Sequence, residues 1–293
     1  MRRLLLIGKN GQLGWELQRT LATLGEVTTL DYPEIDLAKP DSLREVIRAI
    51  KPQIIINAAA YTNVDKAESE PGVVAAVNAD APRVMAEEAD RMGAALIHYS
   101  TDYVFDGTKG SAYVETDVPN PLNVYGKSKL AGEQYVRECG GAYLIFRTSW
   151  VYSLRPGGFV SKVLQWARQQ ETLRIVDDQI GSPTWARALA EMTAQIIGQG
   201  RNDPVRYIKE EAGLYHFAGA GGCSRYEWAK AIIDLDPKKE EHVVKELLPA
   251  KSCEFPTAAK RPAFSTLNND RLNQIFFLKP LYWKVNLQLA LAR

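Results

Sequence analysis

The sequence predicts an α/β protein built on a doubly wound parallel sheet, with a smaller mixed α/β substrate domain after it. Three observations predict this. Four apolar residues, Leu4, Leu5, Leu6 and Ile7, run into glycines spaced three apart at Gly8, Gly11 and Gly14, the pattern of a buried parallel strand, a tight turn and a helix. A second strand ends on Asp31, about twenty residues beyond that turn, where a dinucleotide-binding fold of Rossmann type hydrogen-bonds a ribose. Strand and helix patterns then alternate through four units, which argues for a parallel sheet joined by crossover helices.

The first helix is expected over 12–24, with Leu13, Leu17, Leu21 and Leu24 at helical spacing and Gly25 ending it. Its N-terminus offers unpaired N–H groups and partial positive charge, worth roughly 0.3–1 kcal/mol per favourable anion contact, and glycine lets phosphates approach the backbone. Gly8, Gly11, Gln12, Leu13 and Gly14 are therefore candidate pyrophosphate residues. The spacing is G-x-x-G-x-x-G, which points to the short-chain dehydrogenase form of the fold. A second strand is expected over 27–30, a helix over 41–50 with Asp41 as its cap, and a third strand over 54–57. The run Ala58-Ala59-Ala60-Tyr61-Thr62 follows, and small side chains at the end of a strand let a ligand lie against the backbone. One long helix over 71–92 and a fourth strand over 95–99 complete the units.

Candidate chemistry begins where that strand ends. Ser100-Thr101-Asp102-Tyr103 is followed by Tyr125-Gly126-Lys127-Ser128-Lys129, and a helix opening at Tyr125 carries Tyr125 and Lys129 on one face. A free phenol titrates near 10, too high for easy proton exchange at neutral pH, and a neighbouring ammonium is expected to lower it. Tyr125 then protonates a carbonyl oxygen that receives a hydride, while Thr101 hydrogen-bonds the developing oxyanion. The spacing alone is common: with 13 tyrosines, a lysine four residues on is expected about once by chance. A second copy, Tyr226 and Lys230, follows a helix-capping Ser224 with no strand-end hydroxyl before it. That copy reads as structural.

Composition narrows the rest. Lysine and arginine number 36 and aspartate and glutamate 35 in 293 residues, so no net field argues for nucleic acid or an anionic membrane. Cys139, Cys223 and Cys253 suggest neither a disulfide framework nor a zinc site. The apolar run after Arg3 is too short for a signal peptide, which needs about 7–15 residues, and a cytoplasmic protein with no membrane span is expected. No metal site is assigned, and His98, His216 and His242 receive no metal or proton role.

The glycine turn, Thr101, Tyr125 and Lys129 resemble the extended short-chain dehydrogenase/reductases that act on nucleotide sugars. More narrowly, Gly8-Lys9-Asn10-Gly11-Gln12-Leu13-Gly14, Asn57-Ala58-Ala59-Ala60-Tyr61-Thr62, Ser100-Thr101-Asp102-Tyr103-Val104-Phe105, Arg147-Thr148-Ser149-Trp150-Val151-Tyr152 and Asp178-Gln179-Ile180-Gly181-Ser182-Pro183-Thr184 resemble the dTDP-4-dehydrorhamnose reductase family. The likeness runs through nearly the whole chain. It implies that Gly11, Gln12 and Leu13 meet the pyrophosphate of NADPH or NADH, Asp31 the ribose, Asp36 and Leu37 the adenine, and Ala60, Tyr61 and Thr62 the cofactor's length. It implies Tyr125 as proton donor, Lys129 at the nicotinamide ribose, and Thr101, Asp102 and Trp150 at a dTDP-sugar. The residues alone favour core packing for Trp150. The implied reaction reduces the 4-keto group of dTDP-6-deoxy-L-lyxo-4-hexulose to dTDP-L-rhamnose. Another nucleotide-sugar 4-ketoreductase or epimerase, and a non-catalytic cofactor-binding regulatory subunit, are the alternatives.

Residues 1–150 are expected to form the dinucleotide-binding domain and 151–293 mainly the substrate domain, with a helix near 185–200 able to return to the first. Arg261-Pro262 and Ser265-Thr266-Leu267 read equally as a loop that meets a nucleotide diphosphate or as a loop with a plain surface arginine. Ser153 departs from the family pattern, where glycine or alanine is usual, and Gln288 to Arg293 match nothing assignable. A homodimer is left open.

Overall fold

The computed structural model describes residues 2–292. Six strands form one parallel sheet: β1 (Arg3–Ile7), β2 (Glu26–Leu30), β3 (Ile54–Asn57), β4 (Ala95–Thr101), β5 (Ala142–Thr148) and a last strand, Gly213–His216. Their order across the sheet is β2, β1, β3, β4, β5 and then Gly213–His216. β1 thus pairs with β2 on one side and β3 on the other, and the winding reverses between β1 and β3. A crevice opens at the carboxyl ends of strands at such a reversal. Leu4 to Ile7 and Ile54 to Ile56 are wholly buried, as continuous apolar runs covered on both faces should be.

The first helix, α1 (Gln12–Leu21), ends three residues short of the expected boundary. The chain must turn back there: Glu26 N–H bonds the Arg2 carbonyl, and a Cβ on Gly25 would stand 2.3 Å from that oxygen. The second helix, α2 (Pro40–Ile50), begins on Pro40 itself; Asp41 lies in its first turn and caps nothing, the N-cap being Lys39. The helix expected over 71–92 runs that whole length, as Pro71–Ala75 and Ala81–Met92 joined by one π-helical turn, Ala76–Asp80. Pro82 supplies the reason, because it has no N–H for the carbonyl of Asn78 four residues back. The freed carbonyl meets the next helix closely, where a Cβ on Gly132 would stand 2.3 Å from it.

The second half of the chain does two things. The helix Ala186–Gln199 packs on α1, with Leu189, Ala190, Ile196 and Ile197 in one core with Leu13, Leu17 and Leu21. Strand Gly213–His216, from the second half of the chain, extends the main sheet beside β5. A separate core forms around Tyr152, Trp185, Trp228, Trp283 and Leu287, joining the helices Phe159–Ala167, Arg225–Leu235 and Trp283–Leu291. The unassigned C-terminal residues through 291 therefore belong to that core's last helix. Two short strands, Thr172–Val176 and Glu246–Ala250, pair in parallel beside it. Among the described residues no helix is long and apolar enough to cross a membrane.

Candidate active site

The turn after β1 is built from backbone. Gly8 has φ +94°, and a Cβ there would stand 2.6 Å from the Ala59 nitrogen, so glycine meets both a left-handed conformation and a close strand. Gly14 lies in α1 against the same turn, where a Cβ would stand 1.9 Å from the Gly8 carbonyl. No side chain caps α1, which leaves the N–H groups of its first turn directed at the crevice. Asp31 braces the turn: its carboxylate accepts the Asn10 and Tyr32 N–H groups, each at 2.8 Å.

Gly8, Gly11, Gln12, Leu13, Asp31, Ala60, Thr62, Thr101, Asp102, Tyr125, Lys129 and Trp150 line one cavity of about 550 Å³. Asp36, Leu37 and Tyr61 line a smaller one, of about 220 Å³, whose wall also includes Asp31 and Ala60. Gly14 lines neither and packs the helix onto the turn instead. The 58–62 run is held by Asn78, whose amide accepts the Tyr61 N–H at 2.8 Å, donates to the Tyr61 carbonyl at 3.1 Å and donates to Ser128 Oγ at 3.1 Å. The π-turn is what aims Asn78 there. On the cavity wall, the buried hydroxyls of Ser100 and Thr148 have no hydrogen-bond partner among the described residues, and buried polar atoms of that kind call for a polar ligand. Small residues, a glycine cradle and orphaned hydroxyls together fit a dinucleotide.

Tyr125 lies in the first turn of the helix Val124–Cys139, which Asn123 caps by accepting the Gly126 N–H at 2.8 Å. A Cβ on Gly126 would stand 2.2 Å from the Tyr103 carbonyl, so glycine lets this helix close onto the end of β4. Thr101 is the hydrogen-bond partner of the Tyr125 phenol, and Tyr103 meets its ring edge-on at 5.8 Å. The expectation that Lys129 lowers Tyr125 does not hold for the free site. Desolvation raises the phenol above its ordinary value, with the Thr101 hydrogen bond opposing it. Lys129 is itself buried and lowered to about 8 by desolvation, with Glu133 opposing. Its ammonium donates to the Tyr99 carbonyl at 2.7 Å and lies 3.3 Å from His98 Nε2.

Asp102 is buried, and desolvation raises its carboxyl above the ordinary value. Three hydroxyls answer it: Ser265 at 2.6 Å, Ser149 at 2.9 Å and Thr101 at 3.2 Å. Ser265 thus serves Asp102 from inside the fold, and the expected diphosphate loop reduces to Arg261. That arginine lines a second cavity, of about 960 Å³, and pairs with Asp65 at 2.6 and 3.1 Å. Arg225 lines the same cavity and lies 3.5 Å over the Trp150 ring, which is held at φ +43°. Arg225 and Trp150 form the wall between the two cavities.

Sequence reasoning missed Arg225, Arg155 and His98. Arg225 directly follows the cap Ser224, a position that drew attention only to Tyr226. Arg155, from a stretch that reads as loop, donates to the Asn10 carbonyl at 2.8 Å and lies 4.3 Å over the Trp15 ring, beside the glycine turn. Among the described residues no cluster of three or more His, Cys, Asp or Glu is arranged to hold a metal ion.

A glycine cradle at the reversal of a parallel sheet, facing a buried hydroxyl, phenol and amine, defines the short-chain dehydrogenase/reductase class of oxidoreductase. The family described as RmlD substrate binding domain matches residues 1–293. The chain is 41% identical over 285 residues to the dTDP-4-dehydrorhamnose reductase of Burkholderia thailandensis, covering 96% of this chain and 95% of that one. To the Escherichia coli K12 protein of the same name it is 41% identical, over 97% and 95% of the two chains. The crystal structure of the Bacillus anthracis dTDP-4-dehydrorhamnose reductase in complex with NADP superposes with TM-score 0.89 at 35% identity, over 100% of this chain and 99% of that one. The chain belongs to the dTDP-4-dehydrorhamnose reductase family.

Proposed function

We propose that the protein reduces the 4-keto group of dTDP-4-dehydro-6-deoxy-L-mannose to give dTDP-L-rhamnose, using NADPH or NADH. The observation that carries this reading is the convergence of Thr101, Tyr125, Lys129 and Trp150 on one cavity that also contains the glycine turn, beside a larger cavity with two arginines. The full-length relatives named above support it.

In this reading residues 1–150 hold the dinucleotide and residues 151–293, less the segments that return to the sheet, hold the sugar nucleotide. Gly11, Gln12 and Leu13 present the N–H groups of α1 to the pyrophosphate. Arg155 adds a cation beside them, and Asp31 and the pocket at Asp36 and Leu37 take the adenosine. Bound nicotinamide supplies the hydride. Thr101 and Tyr125 hydrogen-bond the carbonyl oxygen, and Tyr125 Oη–H gives it a proton as negative charge develops. The phenol's raised pKa keeps that proton in place until the oxygen has become more basic than phenolate. Lys129 then faces a phenolate, which its ammonium stabilises. Trp150 and Arg225 separate the reacting sugar from the nucleotide half, and the pyrophosphate of the sugar donor suits the guanidinium groups of Arg225 and Arg261.

The test is steady-state oxidation of NADPH and of NADH with dTDP-6-deoxy-L-lyxo-4-hexulose, for the intact protein and for Tyr125→Phe. Turnover that collapses in the variant while the cofactor still binds supports the reading. Intact, cofactor-bound protein that leaves the sugar unreduced sinks it.

A further inference from the structure

His98 is wholly buried on β4 next to Lys129, and the reaction above gives it no part. Its ring nitrogens face different neighbours: Nδ1 lies 3.1 Å from Asn57 Nδ2 on β3, and Nε2 lies 3.3 Å from Lys129 Nζ. The Asn57 amide cannot be turned over. Its Oδ1 accepts the Ala59 backbone N–H at 3.1 Å, and a backbone N–H can only donate. The amide nitrogen is therefore the group facing His98, and Nδ1 must accept. Burial, with the Lys129 charge adding to it, holds His98 well below its ordinary value and so neutral. A neutral imidazole that accepts at Nδ1 carries its proton on Nε2, pointing at Lys129.

An ammonium has three protons and no lone pair. Charged Lys129 and His98 Nε2–H then face each other donor to donor, whereas an uncharged amine accepts from Nε2–H. The bond to the Tyr99 carbonyl does not discriminate, since amine and ammonium both donate. Besides His98, the ionisable group that acts on Lys129 is Glu133, one turn further along its own helix. Glu133 is committed to Arg147 by bonds of 2.6 and 2.9 Å, which leaves it a weak counter-ion for the ammonium.

We propose that His98, oriented by Asn57, is a positioning residue that sets the charge of Lys129 by directing Nε2–H at its nitrogen. The role rests on the reading of Tyr125 as proton donor and completes it. Tyr125 Oη–H gives its proton to the substrate oxygen, leaving phenolate, and a solvent proton re-forms the phenol after product leaves. The Lys129 ammonium stabilises that phenolate only while it stays charged, and Nε2–H of His98 favours the uncharged amine. The network thus sets the pH above which that stabilisation is lost.

The experiment pairs nitrogen-15 NMR of the histidine-labelled and lysine-labelled intact protein with pH–rate profiles of His98→Gln and Asn57→Asp. In the intact protein His98 should show an unprotonated Nδ1 and a protonated Nε2, and Lys129 should titrate well below a free lysine. Asn57→Asp puts an acceptor opposite Nδ1, reverses the tautomer and makes Nε2 an acceptor for the ammonium. Both variants should therefore move the basic limb of the kcat profile up by about one pH unit, with the KM for cofactor little changed. A merely structural role would lower kcat equally at all pH and leave the limb where it is. Protonated Nδ1 in the intact protein, or an unmoved limb in a folded variant, overturns the proposal. Should neither variant fold, the tautomer and the Lys129 titration of the intact protein decide it. Those two readouts need no turnover, so they stand even where the sugar reductase reading fails.

Discussion

The chain carries the spacing Tyr-x-x-x-Lys twice, and the two copies have opposite fates. Tyr226 donates weakly to the Leu247 carbonyl at 3.3 Å, Lys230 is exposed, and the stretch is an ordinary helix start with Ser224 and Glu227 forming a reciprocal capping box. Tyr125 instead faces a cavity beside a threonine hydroxyl, and Lys129, four residues on, is buried against a carbonyl and an imidazole. Spacing puts phenol and amine on one helical face in both copies. Chemistry arises only where that face closes over the end of a parallel strand, because removal from water is what moves the proton affinities of the two groups.

The largest effect that would break this contrast is on turnover. Tyr125→Phe should lower kcat by roughly 10²–10⁴-fold with the melting temperature kept, whereas Tyr226→Phe should leave kcat within about twofold. Equal losses in the two variants, measured by NADPH oxidation, would remove the distinction. Next comes the cavity wall. Arg225→Leu, which takes a cation off the Trp150 ring and out of the larger cavity, should raise the KM for the sugar nucleotide about tenfold, or ~1.4 kcal/mol, and change kcat little; an unchanged KM would put the nucleotide elsewhere.

The third is a stability effect of unusual sign. The folded Lys129 titrates near 8 against 10.5 for a free lysine, so the unfolded chain binds the extra proton and burial of the ammonium opposes folding. That cost is full below pH 8 and fades as pH rises toward 10.5. Lys129→Met should therefore be inactive yet about 1–3 kcal/mol more stable at pH 7, with the gain vanishing near pH 10.5, as read from urea unfolding at several pH values. The control, Lys230→Met, should change stability by less than about 0.5 kcal/mol at any pH.

The parts of the molecule made by backbone were legible in the sequence. Gly8 and Gly14 announce a turn in which main chain touches main chain, and the apolar runs at Leu4 to Ile7 and Ile54 to Ile56 announce strands buried on both faces. Contacts made by side chains meeting across long stretches of chain were not. Arg225 reaches Trp150 across 75 positions, and Asp102 gathers Ser149 and Ser265 from two distant loops; neither leaves a local pattern. The helix over 71–92 was legible in its length and not in its π-turn. Its apolar periodicity is helical throughout, and a single Pro82 inside it changes the hydrogen-bonding register enough to turn Asn78 toward Tyr61. The direction of the Tyr125 shift was misread because spacing reports which groups are near and says nothing of how much water they lose.

One contact between the halves has a further consequence. Gln12, the first residue of α1, accepts the Ser153 N–H at 2.7 Å and its hydroxyl at 3.1 Å, and donates to the Val151 carbonyl at 3.4 Å. Ser153 is thus a rivet between the dinucleotide turn and the stretch just beyond Trp150. A molecule that stiffens α1 on one side of that rivet stiffens the substrate wall on the other. Reciprocity then requires the second arrival to tighten the first by the same factor, so the order in which the two ligands are added should change their rates of entry and leave the final ternary complex the same.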